Sequence, residues 1–356
     1  MIRVLVVEDS AVVREFLVAA LGSDPGIEVI GAVEDGADAL AAVQRLRPDV
    51  ITMDIHMPRL DGLAATRRIM ETAPTPILIV SGSGDSDEVM TSFDAMEAGA
   101  LAVVPRPAGL GHPAHEGEVR ALVRKVKAMA EVRLVRRWPR RAAAPPSAPA
   151  VAAQSTTRAS RTVKIVALGA STGGPPVLHA VLKALPANFP VPVVIVQHIA
   201  AGFVQGLAEW LAHSSALEVR VAARGELLEA GHAYLAPDDQ HMTVAVGGRI
   251  VLDRGPPENG LRPSVSCLFR SLLDSYGSAT VAALLSGMGR DGASELRLLR
   301  EAGAVTIAQD KATSVVHGMP GEAIRLDGAS LVLPADRMAD ALIALAQGRA
   351  VRGDTP

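Results

Sequence analysis

The sequence predicts an α/β protein with two domains, each built on a doubly wound parallel sheet and joined by a flexible linker. Short apolar runs alternate with amphipathic stretches in both halves of the chain, which is typical of repeated βαβ units. The chain has 356 residues, more than one hydrophobic core usually spans. A stretch rich in alanine and proline, which cannot build a core, interrupts the pattern. We therefore expect a first domain at 1–134, a linker at 135–162 and a second domain at 163–350.

The first domain alternates strand and helix five times. Its apolar runs have the length of buried strands, and the stretches between them have the spacing of amphipathic helices. The predicted strands are 2–7, 28–33, 50–53, 77–80 and 101–104, and helices are expected at 37–46 and 63–70. Basic residues recur from 119 to 141. We interpret them as a solvated arm, with a docking surface for an acidic partner as the alternative.

Polar residues follow several of these strands. Glu8 and Asp9 follow the first strand, and Asp54 follows the third. The carboxyl ends of parallel strands meet at one edge, so these carboxylates would repel one another without a hard divalent cation, for which Mg²⁺ is the natural candidate. Asp54 could then attack phosphorus and form an aspartyl phosphate. Ser81 and Arg106, after the fourth and fifth strands, could bind the phosphoryl oxygens.

Residues suited to hydrolytic chemistry follow the apolar runs of the second domain. These runs are 163–168, 191–196, 279–285 and 304–308. Ser171, His198, Asp291 and Asp310 follow them in that order. One edge of a parallel sheet could therefore gather a nucleophile, a base and an orienting carboxylate. Spacing alone leaves Asp291 and Asp310 as alternative acids.

Composition excludes several classes of protein. No apolar stretch reaches the roughly 18 residues of a spanning helix, so we expect no membrane insertion. The first apolar run breaks at Glu8, which is typical of a strand and not of a signal peptide. The single cysteine, Cys267, excludes an internal disulfide and favours a cytoplasmic location. A net charge of −3 argues against a general nucleic-acid binder.

Two motifs of the first domain are distinctive: VVEDS at 6–10 and MDIHMPRLDG at 53–62. Through them the domain resembles the receiver domain of two-component response regulators. The resemblance implies that Asp54 accepts phosphate from a histidine kinase. It also implies that Mg²⁺ is bound by Asp9, Asp54 and the carbonyl of His56, with Glu8 acting through water. The family's usual switch lysine is here Arg106, which keeps the charge but is larger and planar, so we expect an altered or weakened switch.

Six segments of the second domain are distinctive: GASTGG at 169–174, VQHI at 196–199, YLAPDDQHM at 234–242, RPSV at 262–265, SGMGRDGA at 286–293 and QDKATSVVHGMP at 309–320. Through them the domain resembles the catalytic domain of the CheB family, the chemotaxis protein-glutamate methylesterases. The resemblance implies that Asp291 is the acid and that Asp310 is a structural or rim residue. It implies a phosphorylation-regulated serine hydrolase, with no cofactor for the ester reaction. Its substrates would be the cytoplasmic helices of methyl-accepting chemoreceptors, on which it would demethylate glutamate methyl esters, releasing methanol, and deamidate glutamines.

The expected mechanism follows from acyl-transfer chemistry. His198 would take the proton of Ser171 and return it to the departing methanol, while Asp291 holds the imidazole in the required tautomer. The backbone N–H of Met288 and a donor near Ser171, such as Thr172, would stabilise the oxyanion, at about 3 kcal/mol per donor. We also expect the unphosphorylated receiver to cover the cleft.

Two other functions would require sequence features that differ from those found. In a nucleotide-binding response regulator, the turn from Gly169 to Gly174 would hold phosphates, and an acidic residue would stand about 20 positions further on. The residues there, 193–196, are all apolar. A DNA-binding response regulator would need a basic helix-turn-helix, whereas the second domain has an apolar α/β pattern.

Overall fold

The computed structural model describes residues 1–82, 86–132 and 162–351, and for 86–89 it describes the backbone alone. The predicted linker at 135–162 lies outside the described residues except for its last residue, and so does the end of the basic run from 119 to 141. The boundaries expected for the two domains therefore stay predictions.

The first domain is a parallel sheet covered by helices on both faces. Its strands are β1 Ile2–Val7, β2 Ile27–Val33, β3 Val50–Met53, β4 Ile77–Ser81 and β5 Ala102–Pro105. Its helices are α1 Ala11–Gly22, α2 Gly36–Leu46, α3 Gly62–Thr72, α4 Ser86–Glu97 and α5 His115–Ala130. The strand order is β2-β1-β3-β4-β5, and every pairing is parallel. Asp35 and Asp61 start α2 and α3, because their carboxylates accept hydrogen bonds from backbone N–H groups of the first turn.

The second domain is a larger parallel sheet with a separate antiparallel hairpin. Its strands are β6 Ile165–Ala170, β7 Val193–Gln197, β8 Glu218–Val221, β9 His232–Leu235, β10 His241–Ala245, β11 Arg249–Asp253, β12 Thr280–Leu284, β13 Val305–Gln309 and β14 Leu331–Leu333. Its helices are α6 Gly174–Ala184, α7 Val204–Ser214, α8 Val265–Ser275, α9 Ala293–Glu301, α10 Met319–Arg325 and α11 Met338–Ala346. The main sheet has the order β14-β13-β12-β6-β7-β9-β8, and β10 pairs with β11 in the hairpin.

The strands that carry the predicted site residues form where the apolar runs indicate, with ends shifted along the chain. β6 and β7 each begin two residues later than predicted, and β6 also ends two residues later. The parallel register pairs Ala170 with Gln197, so both strands extend to the residue before their turns, which accounts for the later ends. The strands β8, β9 and β14 and the hairpin, each strand of which has three to five residues, were not predicted.

The strand order places a crevice at the carboxyl end of β6. β6 pairs with β7 on one side and with β12 on the other. The connection after β6 leads to β7 on one side, and the connection after β12 leads to β13 on the other side. Ligands of open α/β sheets bind at such a switch point, where neighbouring connections run in opposite directions. Ser171, His198 and the loop at 285–292 all follow these three strands.

The receiver sheet packs beside this crevice. The ring of Phe93 on α4 lies 5.4 Å from that of Trp210 on α7, and Trp210 Nε1 donates to Asp94 Oδ1 at 3.0 Å. From α5, Lys125 Nζ donates to Thr172 Oγ1 at 2.9 Å. None of the helices that the structure describes is both long and apolar enough to span a bilayer.

Candidate active site

Ser171 lies on the tight turn between β6 and α6. Gly173 has a φ of +76°, a left-handed conformation that favours glycine, and the N–H of Gly174 donates to the Ser171 carbonyl at 2.8 Å. The loop after β12 passes directly alongside, because a Cβ at Gly287 would lie only 2.9 Å from the Ser171 Cβ. The turn therefore holds the serine at the carboxyl edge of the sheet, against a neighbouring loop.

His198 is held beside Ser171 by the next strand. Its backbone N–H donates to the Ala170 carbonyl at 2.9 Å, and its imidazole Nε2 lies 2.9 Å from Asp291 Oδ2. Because a carboxylate accepts hydrogen bonds, Nε2 carries the proton and Nδ1 is the acceptor nitrogen. His198 and Ser171 line the same cavity. Within the described part of the chain the imidazole and the hydroxyl form no hydrogen bond, which in hydrolases often tightens only with substrate present.

Asp291 is buried against the start of α8. Its carboxylate accepts hydrogen bonds from Ser264 Oγ at 2.8 Å and from the N–H groups of Val265 at 2.6 Å and Ser266 at 3.2 Å. Burial would raise the pKa of Asp291, but the hydrogen bonds from His198 and from the start of α8 outweigh it and lower the pKa to about 2. The carboxylate is therefore ionised at neutral pH and can orient the imidazole.

Asp310, the alternative acid, takes part in a different contact. Its carboxylate accepts hydrogen bonds from the N–H and the hydroxyl of Thr313 at 2.9 and 2.6 Å. These bonds shape the turn after β13. The structure brings Asp291, and not Asp310, to His198.

The two predicted oxyanion donors line the cavity that contains Ser171. Met288 lies on the loop after β12, and Thr172 directly follows the serine. Among the described residues, neither backbone N–H donates a hydrogen bond, so both are available to an oxyanion. The Thr172 hydroxyl, by contrast, is engaged by Lys125 of the receiver. The geometry therefore favours the backbone donors.

Sequence reasoning assigned no role to several buried polar side chains that support these turns. Ser286 Oγ donates to the Thr172 carbonyl at 2.7 Å, and Ser286 N donates to Gln309 Oε1 at 2.7 Å. At the end of β7, Gln197 Nε2 donates to the Ser171 carbonyl at 2.9 Å. Each of these side chains ends or follows an otherwise apolar strand. An isolated polar residue at that place was the signal that could have found them.

The acidic residues of the receiver meet at the carboxyl edge of its sheet. Oxygen atoms of Glu8, Asp9 and Asp54 all lie within 4.8 Å of one another. Burial and the Asp54 charge raise the pKa of Glu8 to about 7, and Arg106 acts in the opposite direction. A set of carboxylate oxygens that repel one another suits a hard cation such as Mg²⁺. The donor set therefore fits the predicted metal.

The remaining receiver residues lie around this cluster. Arg106 Nη2 is 3.3 Å from Glu8 Oε2. A Cβ at Gly82 would lie 2.9 Å from the carbon of the Arg106 guanidinium, so the larger side chain packs tightly there. Ser81 is buried at the end of β4, and the side chain of His56 is exposed, as expected if only its carbonyl serves a metal.

A cavity of about 370 Å³ lies between the two domains and is lined by Ser171 and His198. The catalytic domain contributes polar groups from Ser171, Thr172 and His198. The receiver contributes a mostly apolar wall from α4, β5 and α5, including Phe93, Met96, Val103, Leu122 and Lys125. The receiver therefore stands over the candidate nucleophile.

Comparison with known proteins identifies both domains. The "CheB methylesterase" family matches residues 166–342, and the "Response regulator receiver domain" family matches residues 4–112. A "Protein-glutamate methylesterase/protein-glutamine glutaminase" of Nitrosospira multiformis is 57% identical, over 100% of this chain and 99% of its own length. The chain belongs to the CheB methylesterase family. A CheB-family relative of the same name from Geobacter metallireducens is 56% identical, over 97% and 99% of the two chains.

A solved CheB structure supports the same assignment. The crystal structure of the Thermotoga maritima CheB methylesterase catalytic domain has a TM-score of 0.50 and 40% identity, and covers 52% of this chain and 99% of its own. The predicted family, fold class and enzyme class are confirmed, and the nucleotide-binding alternative is not favoured. The roles of the individual CheB site residues in this chain stay predictions.

Proposed function

We propose that this chain is a phosphorylation-regulated methylesterase and glutaminase of methyl-accepting chemoreceptors. It hydrolyses glutamate methyl esters to glutamate and methanol, and it deamidates glutamine side chains on the cytoplasmic helices of the receptors. The observation that carries this proposal is the 2.9 Å hydrogen bond between Asp291 and His198, a residue that lines the same cavity as Ser171. Membership of the CheB family supplies the substrate class.

The residues support acyl transfer in two steps. Ser171 Oγ attacks the ester carbonyl while His198 Nδ1 takes its proton, and Asp291 stabilises the imidazolium that forms. The N–H groups of Met288 and Thr172 bind the oxyanion, at about 3 kcal/mol each. The acyl C–O bond of the ester, or the C–N bond of the amide, then breaks, and His198 gives its proton to the leaving group, which departs as methanol or as ammonia. A water molecule, activated by the same imidazole, hydrolyses the acyl-enzyme.

The receiver supplies the regulatory input. Asp54 attacks phosphorus of a phosphohistidine on the histidine kinase of the chemotaxis pathway, and the kinase histidine leaves. Asp9, Asp54 and the carbonyl of His56 would hold Mg²⁺, with Glu8 acting through water. When bound, the ion neutralises negative charge at this edge. Ser81 and Arg106 would bind the phosphoryl oxygens.

We propose that the unphosphorylated receiver limits access to Ser171. The contact from Lys125 to Thr172 and the apolar wall of the cavity both cover the nucleophile. Burial lowers the pKa of Lys125, because its ammonium loses solvent in this position. A receptor helix is about 10 Å across and needs the receiver to move aside.

The chemistry of the chain fits a cytoplasmic location, where the receptor helices and the kinase are found. Burial, and then the neighbouring Glu258 carboxylate, raise the pKa of the Cys267 thiol to about 12, so that the thiol stays protonated and unreactive. Receptor and kinase are the expected partners, and neither nucleic acid nor membrane insertion has a role in this proposal.

A methanol-release assay on methylated receptor tests the proposal. The full chain should release methanol from the methyl ester and ammonia from receptor glutamines, and both rates should rise when a small-molecule phosphodonor and Mg²⁺ are added. Asp54→Asn should remove the response to phosphodonor while leaving the unstimulated rate. Absence of both products from a folded chain treated with phosphodonor would contradict the assignment.

A further inference from the structure

Gln197 connects the backbone of the candidate nucleophile to the backbone of the candidate base. Its side-chain Nε2 donates to the Ser171 carbonyl at 2.9 Å and to the His198 carbonyl at 2.9 Å. Two carbonyl acceptors fix the orientation of the amide, because its own oxygen could not face them. The residue is 5% exposed. One buried group therefore spans the two turns whose side chains must exchange a proton.

This arrangement leaves one polar atom of the amide unpaired. Gln197 Oε1 is buried and accepts no hydrogen bond from the described residues. A buried acceptor without a partner costs about 1–3 kcal/mol, which offsets much of what the two donated hydrogen bonds contribute to stability. Groups that cost stability are characteristic of functional sites. Because the unpaired oxygen offsets the two donated hydrogen bonds, Gln197 is better explained by a role in aligning Ser171 and His198 than by a role in stabilising the fold.

Gly174, the first residue of α6, makes room for the amide. A Cβ at this position would lie 2.4 Å from Gln197 Oε1 and 2.7 Å from the Ala170 Cβ. The φ of Gly174 is not left-handed, so close packing against the amide, and not backbone conformation, requires glycine here. Any side chain at 174 would displace the amide from its two carbonyl acceptors.

We propose that Gln197 is a positioning residue for ester and amide hydrolysis, which sets the separation of Ser171 Oγ and His198 Nδ1 at the moment of proton transfer. The inference rests on the proposed function, because it needs Ser171 as nucleophile and His198 as base. A misplacement of about 1 Å can cost about 100-fold in rate. Since Gln197 does not touch the receptor in this scheme, its loss should lower kcat and leave KM unchanged.

Gln197→Met in the full chain tests the inference, since methionine has a similar length but no donor. Two rates should be measured: methanol release from methylated receptor with phosphodonor, and labelling of Ser171 by a fluorophosphonate. The small reagent needs the serine and the imidazole in alignment but needs no receptor docking. We expect kcat and the labelling rate to fall together by about 10- to 100-fold, with KM within about twofold of wild type.

Two further variants separate alignment from stability. Gly174→Ala keeps Gln197 but displaces its amide, so the rate of Ser171 labelling should fall as it does in Gln197→Met. If Gln197→Met fails to fold, Gly174→Ala still tests the inference. Thr306→Val on β13 is the matched control. It removes a buried hydroxyl, Thr306 Oγ1, which accepts a hydrogen bond from the Ser330 N–H at 2.9 Å. It should lower the unfolding midpoint and leave labelling unchanged.

The outcomes separate this inference from the proposed function. Labelling of Gln197→Met and Gly174→Ala at the wild-type rate would overturn the role of Gln197 alone. A wild-type chain that hydrolyses receptor but is not labelled at Ser171 would overturn the proposed nucleophile and the inference together. A loss of labelling in Thr306→Val as large as in Gln197→Met would show that general destabilisation, and not alignment, causes the effect.

Discussion

The imidazole of His198 presents its two nitrogens in the reverse of the serine-protease order. Nε2 faces Asp291 here, whereas Nδ1 faces the aspartate in the chymotrypsin arrangement. Either ring nitrogen can be the acceptor, provided that the other one donates to a carboxylate. His198 can therefore still act as the base and Asp291 as the orienting acid, although the imidazole is flipped relative to the chymotrypsin arrangement. No sequence pattern distinguishes the two nitrogens, so this feature could not be predicted.

Asp291→Asn should abolish most of the activity. The asparagine amide can donate to the imidazole, which favours the tautomer without an acceptor toward Ser171. We expect kcat for methanol release to fall by about 10⁴-fold. Asp310→Asn is the control, because Asp310 contacts the Thr313 turn, and should keep most of the activity. A loss in Asp310→Asn comparable to that in Asp291→Asn would contradict the choice of acid.

The same aspartate should contribute to stability in a pH-dependent way. The folded state lowers the pKa of Asp291 from 3.8 to about 2, a difference worth about 2 kcal/mol. A lowered carboxylate pKa stabilises the fold above the unfolded value, and that stability is lost as pH falls through the folded value. Urea unfolding at several pH values should show a constant gap between wild type and Asp291→Asn above about pH 4, narrowing toward pH 2. A gap that widens on acidification would contradict the lowered pKa.

At the scale of elements, strand ends account for most of what the sequence predicts. Apolar runs located β6, β7 and β12 well enough to predict Ser171, His198 and a carboxylate at one edge, but they left Asp291 and Asp310 as alternative acids. The hydrogen bonds that support the site could not be predicted from the sequence, because they join residues far apart in the chain. The hydrogen bond from Gln197 to Ser171 spans 26 residues, and the one from Ser286 to Thr172 spans 114. Such pairs follow from strand order, which local patterns do not encode.

The loop after β12 gives a prediction at this scale. A methyl group at Gly287 would lie 2.4 Å from Met319 Sδ and 2.9 Å from the Ser171 Cβ. Gly287→Ala should therefore push the Met288 N–H away from the serine and lower kcat by about 10- to 100-fold, at a cost of about 1–3 kcal/mol in stability. Methanol release and urea unfolding measure the two effects.

Gly117→Ala is the matched control for Gly287→Ala, because no atom lies within 4 Å of a Cβ at that helical position. It should be neutral or slightly stabilising. Wild-type kcat in Gly287→Ala would show that the loop is not part of the oxyanion site.

The relation between the two domains belongs to the whole molecule. The composition of the chain predicts two cores and a linker, but no periodicity indicates which face of the receiver meets the catalytic crevice. The contacts that join them are the packing of α4 against α7, with Phe93 against Trp210, and hydrogen bonds such as Lys125 to Thr172 and Trp210 to Asp94. Regulation by the receiver could therefore be expected from the sequence, whereas its contacts could not.

Lys125→Ala should raise the activity of the unphosphorylated chain. A hydrogen bond from an ammonium group contributes about 1.5–3 kcal/mol when buried, and less at this half-buried position. Its loss should increase receptor hydrolysis by about 5- to 30-fold before phosphorylation and have little effect after it. Methanol release with and without phosphodonor measures both states.

Lys127→Ala is the control on the same helix, because Lys127 pairs with Asp24 inside the receiver, at 2.7 Å. It should leave the unphosphorylated rate unchanged. Equal rates for Lys125→Ala and wild type without phosphodonor would exclude this contact from the inhibition.

The central claim is that the hydroxyl of Ser171 is the group that attacks the receptor ester. Methanol release by Ser171→Ala, in the full chain with phosphodonor and methylated receptor, tests it most directly. We expect the rate to fall by at least about 10⁴-fold, with an unfolding midpoint close to that of wild type. Release of methanol by a folded Ser171→Ala chain at a rate near wild type would contradict the claim.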